Sequence, residues 1–321
     1  MADRPRVLIS DDLAPACTGV LEANGCAAEY RAGIDLGTLA AACQGAAGLL
    51  VRSRTKVTAE LLGAAPSLRA IGRAGAGVDN IDVAAASARK VCVMNTPGGN
   101  TRSVAEHAIG LMLALLRHIP RGDASMRAGG FDKKGGMGNE VQGKTLCIVG
   151  PGKIGQETAK IARALGMTVI GAHHAPTAEK AKAVGMELKP LADALAAADI
   201  VSLHVPGGGG TKHLIDAKAL AAMKKGAWLV NCARGTAVDQ AALRAALDSG
   251  HLAGAALDVF PEEPPPKDDP IRTHPKVVCT PHLGASTHEA QDRVALAVAK
   301  QVADYLVRGV VVDAVNAAAL R

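Results

Sequence analysis

Three segments carry residues able to do acid–base or anion chemistry just where a short apolar run gives way to polar sequence. LVNCARGTAVD delivers Arg234, GAALDVFPEEPP delivers Asp258 and Glu263, and VVCTPHLGAST delivers His282. In an open parallel α/β sheet the ligand crevice lies outside the carboxyl ends of the strands. If the three apolar runs are strands, Arg234, Glu263 and His282 are candidates to converge there. Taken singly, each is as readily a surface charge or a turn residue.

A fourth segment points to a cofactor. TLCIVGPGKIG reads as a strand running into Gly150-x-Gly152-x-x-Gly155, followed by the helical pattern IGQETAKIARALG and a further strand, TVIGA. In that order Gly150 makes the tight turn, Gly152 lets the backbone approach a pyrophosphate, and Gly155 permits close packing of helix on strand. The phosphates would sit at the helix N-terminus, at Lys153 and Ile154. The second strand should end in an acidic residue that binds the adenosine ribose and favours NAD. This chain has His173-His174 there. A histidine can bond a ribose or, when protonated, favour a 2′-phosphate, but both rings are equally readable as solvated loop residues. NAD is the expected cofactor, and NADP is not excluded.

These residues need a frame, and the βα rhythm of the chain supplies one. Short apolar runs alternate with helical patterns twice over, the signature of parallel sheets. The first series has strands near Val7–Ser10, Gly48–Val51, Ala70–Ile71 and Val91–Met94, with helices over Leu36–Cys43 and Thr58–Ala64; the second starts at Thr145. At 321 residues two domains are expected. Ser103-Val104-Ala105-Glu106 has capping-box spacing and opens a helix running to Leu116, placed as the link between domains. A second helix, from about Ser286 to Val307, would return the chain to the first domain. The predicted division is 1–100 with 286–321, a discontinuous substrate domain, and 101–285, a dinucleotide domain.

Composition removes other classes. The stretch AIGLMLALL is far shorter than the ~20 apolar residues of a membrane span, and the opening MADRPRVLISDD has no signal-peptide core, so a cytoplasmic protein is expected. Lys and Arg exceed Asp and Glu by six, yet the basic residues are dispersed, and one tryptophan, two tyrosines and two phenylalanines offer little for stacking bases. A small anionic substrate accounts for the surplus, with no nucleic acid and no membrane. The seven cysteines form no CxxC pair or Cys/His cluster, which predicts reduced, mostly buried thiols and no metal site.

With GRAGAGVDNID and MNTPGGN, these segments resemble the D-isomer-specific 2-hydroxyacid dehydrogenases over nearly the whole chain. The resemblance implies a Rossmann domain inserted in a flavodoxin-like substrate domain, both doubly wound parallel sheets, an interdomain cleft and a homodimer. It implies that His282 is the acid–base residue and that Glu263 orients it and stabilises the imidazolium. Arg234 would hold the substrate carboxylate with its planar fork and polarise the C2 oxygen. Asp258 would lie near the nicotinamide, its alternative being a structural turn carboxylate. His204, Cys232, Ala233 and Gly284 complete the implied cofactor set.

Within the family the likeness is greatest to members that oxidise 3-phospho-D-glycerate to 3-phosphohydroxypyruvate, the entry to serine biosynthesis. Arg52, Arg54, Arg73, Lys133 and Lys134 form the implied cationic set for a phosphate on the first domain, Arg52 and Arg73 matching best. Backbone amides at Gly75, Ala76 and Gly77 would take the carboxylate. A glyoxylate or hydroxypyruvate reductase is the alternative enzyme, and a dinucleotide-sensing corepressor the alternative of another class. Ending at Arg321, the chain is expected to carry no C-terminal regulatory domain and no serine feedback through one.

Overall fold

The runs RVLI, AAEY, GLLV, AIGR and CVMN form strands β1 (Arg6–Ile9), β2 (Ala27–Tyr30), β3 (Gly48–Val51), β4 (Ala70–Arg73) and β5 (Cys92–Asn95). They belong to one of two units into which the chain divides in a computed structural model that describes residues 4–173, 177–208 and 210–321. The first unit is Met1–Asn100 with Ala285–Arg321, and the second is Thr101–Gly284. His174, considered above beside His173, lies outside the described residues.

In the first unit the strands pair in parallel in the order β2-β1-β3-β4-β5, the flavodoxin-like arrangement. Nearly every residue of β1, β3 and β5 is apolar because both faces of the sheet are covered. Val7, Ile9, Leu50 and Met94 pack on one face with Cys17 and Leu21 of helix α1 (Ala16–Ala23). Leu8, Leu49, Ile71 and Val93 face the other way, towards α2 (Leu36–Ala42), α3 (Ala59–Ala64) and α4 (Val83–Ala88). AAEY was not expected to be a strand: none of its residues is buried, so it carries no apolar signal and exists through its ladder with β1.

The second unit opens with α5 (Thr101–Leu116) and α6 (Ile119–Arg127). Ser103 does not cap α5, which starts two residues earlier; its hydroxyl donates to Gly284 O at 2.6 Å instead. Strands β6 (Thr145–Val149), β7 (Thr168–Ala172), β8 (Glu187–Lys189), β9 (Ile200–Leu203), β10 (Ala227–Asn231), β11 (Leu252–Leu257) and β12 (Val277–Cys279) form a parallel sheet in the order β12-β11-β10-β9-β6-β7-β8. This is a Rossmann arrangement extended by one strand, and its order reverses between β6 and β9. Helices α7 (Lys153–Ala164), α8 (Ala178–Val184), α9 (Leu191–Ala197), α10 (Ala217–Ala222) and α11 (Gln240–Asp248) connect the strands.

The first unit closes with α12 (His288–Arg308) and α13 (Ala317–Leu320). Thr287 caps α12, so the helix starts two residues later than expected, and Gly309 ends it at φ +70°. Val294, Val298 and Val302 of α12 join the face of the sheet that holds α1. The approach is close: a Cβ at Gly72 would lie 2.6 Å from Val298 Cγ2 and 2.7 Å from Leu50 Cδ2. Among the described residues no helix is long and apolar enough to cross a membrane, and no group of three or more His, Cys, Asp or Glu is arranged to hold a metal ion.

Candidate active site

The glycine turn lies at the reversal point of the second unit. Gly150 has φ +90°, and a Cβ there would lie 2.8 Å from His204 O, because the ends of β6 and β9 touch; His204 N donates to Val149 O at 2.8 Å. Gly152 caps α7, and a Cβ on it would meet no atom within 4 Å, leaving open space over the first turn. A Cβ at Gly155 would stand 2.6 Å from Gly150 O and 2.7 Å from Ile148 Cγ2, so α7 can lie this close only with glycine. Tight turn, open cradle and close packing are what a pyrophosphate on a helix N-terminus requires. The cradle therefore fits a dinucleotide, which Gly152, Lys153 and Ile154 at the start of α7 would hold.

Other cofactor candidates follow strand ends. His204 bonds Ser202 Oγ through Nε2 at 2.9 Å, while its buried Nδ1 has no partner among the described residues; burial pushes the imidazole down to about 4 and keeps it neutral. His173 follows β7, half-buried, its amide bonded to Lys189 O. Burial, reinforced by the nearby Asp258 charge, pushes the Cys232 thiol well above its ordinary range.

Arg234, Glu263 and His282 come from the loops after β10, β11 and β12. Asn231 shapes the first loop: Oδ1 accepts from Ala233 N at 3.0 Å and Nδ2 donates to Arg234 O at 2.9 Å. Gly235 then brings this loop onto the next, since a Cβ there would overlap the backbone of Phe260 and Pro261. Phe260 N in turn donates to Glu263 Oε1 at 3.0 Å, and Glu263 Oε2 lies 2.6 Å from His282 Nδ1. Burial pushes the Glu263 carboxyl up, but the bonds from His282 and from the Phe260 amide, with the His282 charge, outweigh it and hold the group below the usual carboxylate range. An ionised carboxylate only accepts, so Nδ1 carries the hydrogen and the opposite nitrogen, Nε2, is the basic one.

His282 has φ +54°, the left-handed region where a side chain is disfavoured. Asp258 imposes it: its carbonyl accepts from His282 N at 2.8 Å, and its carboxylate accepts from Leu283 N at 2.7 Å and Gly284 N at 2.9 Å. Thr280 Oγ1 donates to the same carboxylate at 2.5 Å, and His107 Nε2 lies 3.0 Å from it. Burial raises the Asp258 carboxyl, but these four bonds prevail and hold it below its ordinary value. Asp258 is 1% exposed, its oxygens engaged with the loop that carries His282.

In the first unit, Arg52 is half-buried, and desolvation lowers its pKa against the charges of Asp12 and Asp11. Its loop is pinned by Asp11 Oδ2, which accepts from Arg52 N at 2.7 Å and Thr55 N at 3.1 Å, and by Asn80 Nδ2, which donates to Arg52 O and Thr55 O. Arg73 folds over Gly75, where its guanidinium fills the space a Cβ would need. The Gly75 amide donates to Thr96 Oγ1 at 2.8 Å and is thus engaged within the first unit. Arg54 donates to the carbonyls of Gly33 and Ile34. Lys133 and Lys134 belong to the second unit, which corrects their placement on the first domain. Asn231, Gly235, Thr280 and His107 are not among the residues that the sequence singles out; only the proximity of Asn231 and Gly235 to Arg234 signals the first two.

A doubly wound sheet with this glycine cradle at its reversal point defines a dinucleotide-binding protein. Residues 109–284 match the family model described as D-isomer specific 2-hydroxyacid dehydrogenase, NAD binding domain. The chain belongs to that family, and its second unit is the NAD-binding domain. It is 44% identical to the D-3-phosphoglycerate dehydrogenase of Rattus norvegicus over 319 residues, 99% of this chain and 60% of the relative, so it spans about 60% of that relative's length. Among solved structures it is similar to the TT0316 protein of Thermus thermophilus, with TM-score 0.86 and 35% identity over 94% of this chain and 96% of the other. It is also similar to an NADPH-dependent glyoxylate/hydroxypyruvate reductase of Sinorhizobium meliloti, with TM-score 0.87 and 29% identity over 99% of each chain.

Proposed function

We propose that the protein oxidises 3-phospho-D-glycerate to 3-phosphohydroxypyruvate, with NAD as the oxidant. The observation that carries the chemistry is the 2.6 Å pair of His282 Nδ1 and Glu263 Oε2, with the Glu263 loop packed at Phe260 against Gly235 of the turn that bears Arg234. His282 Nε2 takes the hydroxyl proton of the substrate, and Glu263 stabilises the imidazolium that results. Arg234 holds the carboxylate through two parallel N–H bonds and draws electron density from the C2 oxygen. Held at the start of α7, NAD would supply the hydride acceptor. Arg52 and Arg73 are assigned to the phosphate and Ala76 and Gly77 to the carboxylate.

The choice of substrate within the family is supported by the curated relatives, which are named phosphoglycerate dehydrogenases at 43–47% identity. A glyoxylate or hydroxypyruvate reductase is the second reading, favoured by two observations. The Sinorhizobium neighbour bears that name, and Arg54, a member of the expected phosphate set, spends its guanidinium on the Gly33 and Ile34 carbonyls. The test is absorbance-monitored reduction of NAD and NADP with 3-phospho-D-glycerate beside D-glycerate. Turnover confined to the phosphorylated acid is expected; turnover of the unphosphorylated acid alone would establish the second reading. Dinucleotide binding without turnover of any D-2-hydroxy acid would instead point to a sensing protein.

A further inference from the structure

His107 directly precedes the apolar run AIGLMLALL, and the chemistry proposed above does not use it. On α5 it stands four residues after Ser103, on the same helix face, and both side chains hold the loop that carries His282. Ser103 Oγ donates to Gly284 O at one end of the loop; at the other, His107 Nε2 lies 3.0 Å from Asp258 Oδ1 and 3.1 Å from Thr280 Oγ1. The single hydroxyl proton of Thr280 goes to Asp258 Oδ1. An ionised carboxylate only accepts, so Nε2 must carry the hydrogen and donate into this pair.

The left-handed backbone of His282 persists only where its surroundings over-determine it. Those determinants converge on Asp258, whose carbonyl and two carboxylate oxygens receive three successive amides, from His282, Leu283 and Gly284. The carboxylate can serve two of them only in one rotation, and the bonds from Thr280 and His107 to Oδ1 set that rotation. We propose that His107 is a positioning residue that fixes, through Asp258, the turn presenting His282, an inference that rests on the proposed acid–base role of His282.

The test compares two substitutions in the full chain. His107→Leu removes the donor at similar volume, and His107→Gln restores an N–H at similar reach. With whichever D-2-hydroxy acid the wild type oxidises, kcat is expected to fall about 10- to 100-fold in His107→Leu and to recover largely in His107→Gln, with the KM for dinucleotide unchanged. A second readout needs no turnover: carbethoxylation of His282 by diethyl pyrocarbonate, followed by peptide mass spectrometry, should change rate about threefold or more in His107→Leu. Should that variant not fold, Thr280→Val perturbs the same carboxylate oxygen and is expected to reproduce both changes. Wild-type kcat with wild-type labelling in the folded leucine variant would overturn the proposal, as would a glutamine variant no better than leucine. If the wild type oxidises no D-2-hydroxy acid, the functional reading fails separately and the labelling rates alone decide the role of His107.

Discussion

Gly235→Ala isolates the geometry of the site from its chemistry, because it adds one methyl group and alters no reacting atom. The added Cβ would overlap the carbonyl carbon and oxygen of Phe260 and the nitrogen of Pro261, all backbone atoms that no rotamer change can move aside. To regain van der Waals contact the two loops must part by roughly 1.5 Å. Arg234 lies on one side of that gap. Glu263, tied to Phe260 N and to His282, lies on the other. A misplacement of about 1 Å costs on the order of 100-fold in rate, or about 2.7 kcal/mol of transition-state stabilisation. Overpacking should also cost about 1–3 kcal/mol of stability, lowering Tm by about 2–4 °C per kcal/mol. The assay pairs steady-state kcat/KM for the hydroxy acid with NADH affinity from fluorescence titration. The expected result is a loss of about 100-fold in kcat/KM with NADH affinity nearly unchanged, since the glycine cradle lies after β6. A variant with wild-type kcat/KM and wild-type Tm would show that the two loops do not depend on this contact.

His282→Ala should lower kcat by about 100- to 10,000-fold while leaving NADH affinity within a few-fold; equal losses of both would misplace the imidazole. Arg234→Lys keeps the charge but loses the fork, so kcat/KM should drop about 100-fold, and retention of wild-type kcat/KM would remove the bidentate role. His204 makes a pH prediction, because its folded-state value of about 4 lies below the ordinary 6.5. The unfolded chain therefore takes the proton first as pH falls. The stability due to neutral His204 is complete above about pH 6.5, declines through the interval and is lost by about pH 4, a total of about 3 kcal/mol. Urea unfolding of the wild type and His204→Gln at pH 7 and pH 4.5 should show the difference between them shift by much of that amount; parallel pH profiles would contradict the assignment.

The parts of the molecule legible in the sequence were those fixed by local pattern. Continuous apolar runs such as GLLV mark strands covered on both faces, and the spacing of Gly150, Gly152 and Gly155 announces the turn, although the contact that demands Gly150, with His204 O, is remote in sequence. The edge strand β2 was not legible, because AAEY buries none of its residues. Arg234, Glu263 and His282 could be picked out because each follows an apolar run closely. The residues that hold them could not. His107 and Asp258 are 151 positions apart, and no periodicity connects a helix residue to a carboxylate at that separation. Ser103 shows the converse: its capping-box spacing was correct as a pattern, yet its hydroxyl serves Gly284, 181 positions away.

These long-range supports explain how three exposed or half-exposed side chains can be held in a fixed relation. Side-chain exposure of 49% for His282 and 36% for Glu263 means that packing does little to order either. Order reaches them through the backbone instead: Asn231 for the Arg234 turn, Phe260 N for Glu263, and the three amides received by Asp258 for His282. All of these anchors lie after β10, β11 and β12, on one side of the reversal point, while the glycine cradle lies after β6 on the other. The two sides meet where Gly150 touches His204 O and His204 N bonds Val149 O. A side chain at Gly150 must therefore push on the β9 loop as well as on the phosphate turn. Perturbation there should reach both dinucleotide affinity and turnover, whereas changes at Asn231, Gly235 or Asp258 should fall mainly on turnover of the hydroxy acid.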